Sequence, residues 1–156
     1  MSRCIISPQI FFRSRPLSRI ITTEGGTKER TRLSKAVVKA IRILAQQEKP
    51  DDLSRDLAAF ISIACDEMSK SVESSVVAWE KKDYWVKADR FRMEWAWSGR
   101  AAETMAKAVL TDDWGTVAAT SGLIAQKLMK VQLAPGARVG EPWIGAYKKL
   151  KADQKK

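Results

Sequence analysis

Five cations recur at helical spacing between residues 28 and 42, and they are the side chains best placed to do chemistry. They step by four, three, four and three positions, so on an α-helix they share one narrow face. These cations, the basic stripe, are Lys28, Arg32, Lys35, Lys39 and Arg42. Like charges at such spacing repel by roughly a few tenths of a kcal/mol, a cost that a bound polyanion removes. The stripe therefore predicts nucleic-acid binding, and a merely solvated helix face is the plainer alternative.

The acids near the basic stripe are few, and the spacing places them off its face. Glu29 and Glu48 are the only two between residues 28 and 49. On the opposite face, Leu33, Val37 and Ile41 recur at the spacing of a buried stripe. We therefore expect a helix with one core-facing side and one side of a single charge sign.

A second group of cations lies at the N-terminus, in residues 1–23. Its only charges are four arginines, interleaved with large apolar residues that include Phe11 and Phe12. The four are Arg3, Arg13, Arg15 and Arg19. Together with the stripe they predict a phosphate-binding arm, and the two phenylalanines predict contact with a neighbouring subunit, since a free tail would not need them.

Two other interpretations of residues 1–23 stay open. An Arg-rich, Ser-rich and acid-free N-terminus is typical of a mitochondrial transit peptide, which would place the protein in the mitochondrial matrix. Pro8 and Pro16 would break the helix that such a peptide forms. A start codon upstream of the natural one is the third interpretation.

The distribution of charge favours an anionic partner at both ends of the chain. The net charge of the 156-residue chain is +10, with +8 in residues 1–50, −4 in residues 51–113 and +6 in residues 114–156. Nucleic acid is the simplest such partner, with an anionic membrane surface second. We expect no membrane span, because no apolar run approaches the ~18 residues that one requires.

The composition excludes several classes of enzyme. There is no histidine, which removes Ser-His-Asp and Cys-His catalysis, HExxH zinc sites and Glu-x-x-His di-iron bundles. The two cysteines, Cys4 and Cys65, form no CxxC pair. Asp51-Asp52 and Asp112-Asp113 precede predicted helices, where capping explains them. We therefore expect no enzymatic activity, no cofactor and no metal.

The remaining pattern predicts an all-α protein. A first helix is expected from Thr27 to Glu48, preceded by a hinge at Gly25-Gly26, and a second from Asp51 to about Lys81. Asp83 is expected to cap a third helix. Its apolar seam runs with steps of four and three from Tyr84 to Val109, and small residues at its middle allow a neighbouring backbone to approach closely. A fourth helix follows residues 111–113.

These elements predict a four-helix up-and-down bundle over residues 27–131. An extended basic N-terminal arm would occupy residues 1–26. An irregular, lysine-rich C-terminal tail with a short helix would occupy residues 132–156.

Six tryptophans are many for this length, and some of them are predicted at a subunit interface. Trp95 and Trp97 point about 200° apart on a helix, so one core cannot bury both. Trp85, beside the seam, has the same difficulty. Exposed tryptophans often mark protein contacts, so Trp85, Trp97 and Trp143 are predicted interface residues.

In its organisation the chain resembles the coat proteins of archaeal filamentous and rod-shaped viruses. The resemblance lies in the arm Arg3–Arg19, the stripe Lys28–Arg42 and the helical remainder. It implies self-association into a filament that packages linear double-stranded DNA in a virion, without enzymatic activity. The bundle and basic face also resemble the small subunits of CRISPR effector complexes, which would be cytoplasmic. A helical protein-interaction scaffold without nucleic-acid binding is the remaining alternative.

Overall fold

The computed structural model describes the backbone of residues 23–156 and the side chains of residues 25–156. Within that range it contains five α-helices and no strand, which confirms the all-α class. The helices are α1 (Thr23–Ala45), α2 (Asp52–Glu80), α3 (Trp85–Leu110), α4 (Trp114–Lys127) and α5 (Ala146–Asp153).

The long helix α2 is the centre of the packing. It packs against α1, α3 and α5, whereas α4 packs mainly on α3 and touches α1 only slightly. Three long side chains of α2 are fully buried: Leu57, Ile61 and Met68. Burying apolar side chains of this size contributes about 1.5–3 kcal/mol each, so α2 is the element on which the others depend.

The apolar seam of α3 faces inward, as the four-three spacing predicts. Its side chains are buried or half-buried from Ala88 to Val109, while Tyr84 at its start is exposed. The small middle of the seam also lets α2 approach closely. The Ser62 hydroxyl donates a 2.8 Å hydrogen bond to the carbonyl of Ala102, and a Cβ at Gly99 would lie only 3.1 Å from Ser69 Oγ.

Two predicted helix caps are confirmed. The Asp51 carboxylate accepts a 2.8 Å hydrogen bond from the backbone N–H of Ser54 at the start of α2. The Asp113 carboxylate accepts from the hydroxyl (2.6 Å) and the backbone N–H (3.1 Å) of Thr116 at the start of α4. These bonds hold the pKa of each carboxyl below its usual value, because they stabilise the ionised form.

Both expected boundaries of α1 are wrong. α1 begins at Thr23, so Gly25-Gly26 is no hinge and Thr27 is no cap. It ends at Ala45, before Glu48. Gly26 is buried against the side chains of Ser71 and Ser75 on α2.

The start of α3 also differs from the prediction. Asp83 has a positive φ of 60°, so it turns the chain out of α2 in the left-handed conformation that aspartate tolerates. Tyr84 is the residue that precedes α3, without a side-chain cap. Asp112 likewise has a φ of 51°, and its carboxylate pairs with Arg55 Nε at 3.3 Å.

The C-terminal segment is packed onto α2 rather than free. The Asp56 carboxylate accepts hydrogen bonds from the backbone N–H groups of Gly145 (3.2 Å) and Tyr147 (3.0 Å). Trp143 and Leu150 are buried in the main core. The Trp143 ring meets Phe60 edge to face, with centroids 6.4 Å apart.

Candidate nucleic-acid interface

The packing of α1 orients the basic stripe away from the core. Leu33, Val37 and Ala40 are buried against the rest of the chain. On the other side of α1, Lys28, Arg32 and Arg42 are exposed, and Lys35 and Lys39 are half-buried. The structure therefore places all five stripe residues on one side of one helix, although it does not leave them equally accessible.

Lys39 helps to hold the C-terminal segment. Its ammonium donates a 3.0 Å hydrogen bond to the carbonyl of Gly140 and lies 5.5 Å from the centroid of the Trp143 ring. A cation over an aromatic face is attracted by the ring quadrupole. Lys39 is therefore engaged within the chain, and its contribution to a phosphate contact would require these bonds to open.

Arg32 has an acidic partner on its own helix. Its guanidinium forms a two-pronged ion pair with Glu29, with N···O distances of 2.6 and 3.1 Å. This hydrogen bonding raises the pKa of Arg32. Glu29 lies off the stripe by position, but its side chain reaches Arg32 in the next turn. Both partners are largely exposed, so the pair is weak and a phosphate can compete for the guanidinium.

The C-terminal segment adds a cation beside the stripe. Arg32 on α1 and Lys149 on α5 line the same recess of about 180 Å³, which also includes Glu67 of α2. Lys148 and Lys151, on the same short helix, are exposed. Lys149 and the stripe lie at opposite ends of the sequence, and the docking of residues 142–150 brings them together.

Arg30 is a buried cation of α1 that the prediction of the basic stripe did not include. It is buried, 6% exposed, and its guanidinium donates to the Ser71 hydroxyl (2.9 Å). It also lies 4.9 Å from the centroid of the Phe91 ring. Arg30 falls in line with Leu33 and Val37 at helical spacing. Its place on the apolar face of α1 is therefore the sequence feature that predicts an inward orientation.

The predicted interface tryptophans are found in three different environments. Trp85 is 58% exposed and lines an open apolar groove of about 680 Å³ with Trp79, Tyr84 and Phe91. Trp97 is half-buried and stacked on Trp95, with centroids 5.9 Å apart. Trp143 is only 3% exposed, so its assignment to a subunit interface is corrected: it fills the core of its own chain.

The arm residues cannot be placed on this surface. Arg3, Arg13, Arg15, Arg19, Phe11 and Phe12 all lie outside the described residues. Their roles in phosphate binding and subunit contact stay predictions from the sequence.

Other chemistry has little support in the described part of the chain. No group of three or more acids and cysteines within residues 25–156 could hold a metal ion. Cys65 is fully buried, and this burial raises the pKa of its thiol to about 12, so it does not form a reactive thiolate at neutral pH. None of the described helices is both long and apolar enough to cross a bilayer.

Comparison of the chain with protein-family models, with curated proteins and with solved structures finds no match. The function is therefore proposed from the charge and exposure of the α1 face.

Proposed function

We propose that the chain is a non-enzymatic nucleic-acid-binding assembly protein that coats or packages duplex DNA without sequence preference. The observation that carries this proposal is the basic stripe, which lies opposite the buried face of α1. Lysine and arginine contacts to phosphate supply sequence-independent affinity through the release of counterions. They position a protein on the duplex without reading its bases.

The length of the basic stripe suits contact with several phosphates of a duplex backbone. From Lys28 to Arg42 the helix rises about 21 Å, while duplex DNA carries a charge about every 1.7 Å of its axis. Lys149 widens the positive surface beside Arg32, and the four arm arginines would extend it further. The five stripe residues lie on a helix face rather than in a groove-sized cleft, which favours binding along the backbone over base reading.

We further propose that the molecule assembles through its tryptophan-rich end, which is the groove lined by Trp79 and Trp85 where α2 meets α3. The resemblance to viral coat proteins implies such assembly. Tyr84, Trp85 and Val86 are all more than half exposed. Contiguous apolar surface of this kind typically marks a protein contact. α1 to α4 would then serve as one up-and-down bundle that presents DNA-binding and subunit-binding surfaces on different parts of the molecule.

The test is a fluorescence anisotropy titration of the full-length protein into labelled duplex DNA at several salt concentrations. The substitutions Lys28→Gln, Lys35→Gln and Arg42→Gln remove three cations of the stripe without touching the core. Because each lost phosphate contact lowers the log–log salt slope by about 0.9, the triple variant should lose roughly 2.7 from the slope. It should also bind more weakly to every sequence.

The matched control removes the same charge elsewhere. Lys81 and Lys82 are exposed in the connection between α2 and α3, and Arg100 is exposed on α3. Replacement of all three by glutamine should leave the slope close to that of the wild type. Equal effects of the two triple variants would mean that net charge alone drives binding. Absence of binding at low salt would overturn the proposal and favour a protein-interaction scaffold, whereas preference for single-stranded RNA would favour the CRISPR-like alternative.

A further inference from the structure

The C-terminal helix α5 is capped by an acid of another helix. Gly145, the residue before α5, has a φ of 77° and carries no side chain that could cap the helix. The cap comes from Asp56 of α2, whose carboxylate accepts hydrogen bonds from the backbone N–H groups of Gly145 (3.2 Å) and Tyr147 (3.0 Å). The first N–H groups of a helix have no partner within the helix, and a carboxylate beside them also interacts favourably with the helix dipole.

α5 is too short to be stable by itself. It has eight residues, whereas isolated helices below ~12–15 residues are marginal in water. Three of its residues are lysines, and like charges three positions apart, as at Lys148 and Lys151, repel each other. The helix therefore depends on its contacts with the rest of the chain, which are the two bonds to Asp56 and the burial of Ala146 and Leu150 in the main core.

The docked position of α5 decides where Lys149 lies. Lys149 lines the same recess as Arg32 of the basic stripe, so a phosphate that approaches Arg32 there meets a second cation. Asp56 is not among the residues that line this recess. An acid offers a phosphate no favourable direct contact, so a favourable effect of Asp56 on phosphate binding can only run through the position of α5.

The residues just before α5 are held by different contacts. The Lys39 ammonium donates to the carbonyl of Gly140 (3.0 Å) and lies 5.5 Å from the centroid of the Trp143 ring, which itself packs on Phe60. None of these contacts involves Asp56. Loss of the Asp56 carboxylate should therefore loosen α5 while Trp143 stays in the core.

We infer that Asp56 is a positioning residue for phosphate binding, because its carboxylate holds α5 so that Lys149 adds to the cations of the basic stripe. The inference rests on the proposed binding of duplex DNA. It gives a favourable role to an acid, a residue type that ordinarily weakens binding to a polyanion. Because coupling between sites is reciprocal, DNA that contacts Lys149 should in turn stabilise the docked α5.

The test is a double-mutant cycle on the full-length protein, with duplex DNA titrated at several salt concentrations. Lys149→Gln should lower the log–log salt slope by about 0.9, the loss expected for one phosphate contact. In a protein that carries Asp56→Ala, the same substitution should lower the slope by less than half of that amount. The two proteins compared in each background differ only at Lys149, so any change that Asp56→Ala causes elsewhere, such as at Lys39, cancels.

Asp52→Ala is the matched control. It removes the same charge from an exposed position on the same helix, one turn away from Asp56. In this background Lys149→Gln should keep its full effect on the slope. A change of net charge alone would make the two backgrounds behave alike.

Hydrogen exchange of the protein without DNA tests the structural half of the inference. The backbone N–H of Lys149 donates to the carbonyl of Gly145 (3.2 Å) within α5 and not to Asp56, so its exchange reports whether the helix is formed. Asp56→Ala should speed this exchange by about tenfold or more, the effect expected when hydrogen bonds to a charged group are lost. Asp52→Ala should leave it unchanged.

Three results would overturn the inference. Equal losses of slope from Lys149→Gln in all three backgrounds, with DNA binding intact, would overturn the role of Asp56 and leave the proposed function standing. Unchanged exchange of the Lys149 N–H in Asp56→Ala would overturn it without reference to DNA. Absence of DNA binding by the wild type would overturn both the proposed function and the role of Asp56 in it.

Discussion

Arg30 shows how one buried cation holds three helices together. Its guanidinium reaches from α1 to the Ser71 hydroxyl of α2 (2.9 Å) and lies over the Phe91 ring of α3. Arg30→Ala should lower the free energy of unfolding by about 2–3 kcal/mol, because it deletes these contacts and leaves a cavity. Urea denaturation followed by circular dichroism measures the change.

The matched variant for Arg30 is Arg42→Ala, on the same helix and exposed. A substitution at such a position should change the free energy of unfolding by less than about 0.5 kcal/mol. Arg42→Ala should weaken DNA binding more than Arg30→Ala does, because Arg42 belongs to the basic stripe. Similar stability of the two variants would contradict the structural role of Arg30.

Asp113 makes the stability of α4 depend on pH. Its pKa is lowered because its carboxylate accepts hydrogen bonds from the hydroxyl and backbone N–H of Thr116. A lowered pKa in the folded state means that the stabilisation is complete above the unfolded value, about 3.9, and is lost as the pH falls below it. Asp113→Asn keeps a capping acceptor without ionising. Below pH 4 its thermal midpoint should therefore fall less steeply than that of the wild type.

At the scale of elements, periodicity predicted the interior of the helices better than their ends. The four-three spacing from Ala88 to Val109 identified the buried face of α3, because one helical face must meet the core along its whole length. Because each glycine costs about 1 kcal/mol in a helix, local sequence predicts a hinge at Gly25-Gly26. The packing of Gly26 against Ser71 and Ser75, which local sequence does not encode, continues the helix through both glycines.

The packing of the C-terminal segment is what local sequence does not predict, and the reason is also tertiary. Prolines and glycines between residues 135 and 145 are typical of a loop, and they do form turns here. What fixes the segment is its pairing with residues distant in sequence, such as Asp56 and Phe60. Spacing within the segment carries no information about these partners, so the position of Lys149 beside Arg32 could not be predicted from it.

The close contact between α2 and α3 predicts opposite responses at two glycines. At Gly99 a Cβ would lie 3.1 Å from Ser69 Oγ, whereas at Gly122 it would meet nothing. Gly99→Leu should lower the free energy of unfolding by about 1–3 kcal/mol through overpacking. Gly122→Leu should leave it unchanged or raise it by up to about 1 kcal/mol through helix propensity. Equal destabilisation of both variants in urea would contradict the described packing.

For the described part of the molecule, the basic stripe and the exposed aromatic side chains lie on different elements, an arrangement that suits assembly on a polyanion. The basic stripe and Lys149 lie on α1 and α5, and the exposed aromatic side chains lie where α2 turns into α3. Subunits that associate through one surface can therefore still present the other to nucleic acid. Many weak phosphate contacts on neighbouring subunits would then act together, which raises the overall affinity without any new contact.

This separation predicts that self-association and DNA binding respond to different substitutions. Trp85→Ser with Val86→Ser removes two exposed apolar side chains, 58% and 72% exposed, and should shift the protein to monomer in sedimentation velocity over a range of concentrations. Its binding to a short duplex that holds one subunit should stay as in the wild type, while binding to long DNA should become less cooperative.

The matched control, Leu123→Ser with Met129→Ser, removes similarly exposed side chains from and just beyond α4 and should leave sedimentation unchanged. A wild type that stays monomeric at all concentrations, with and without DNA, would contradict assembly through this surface.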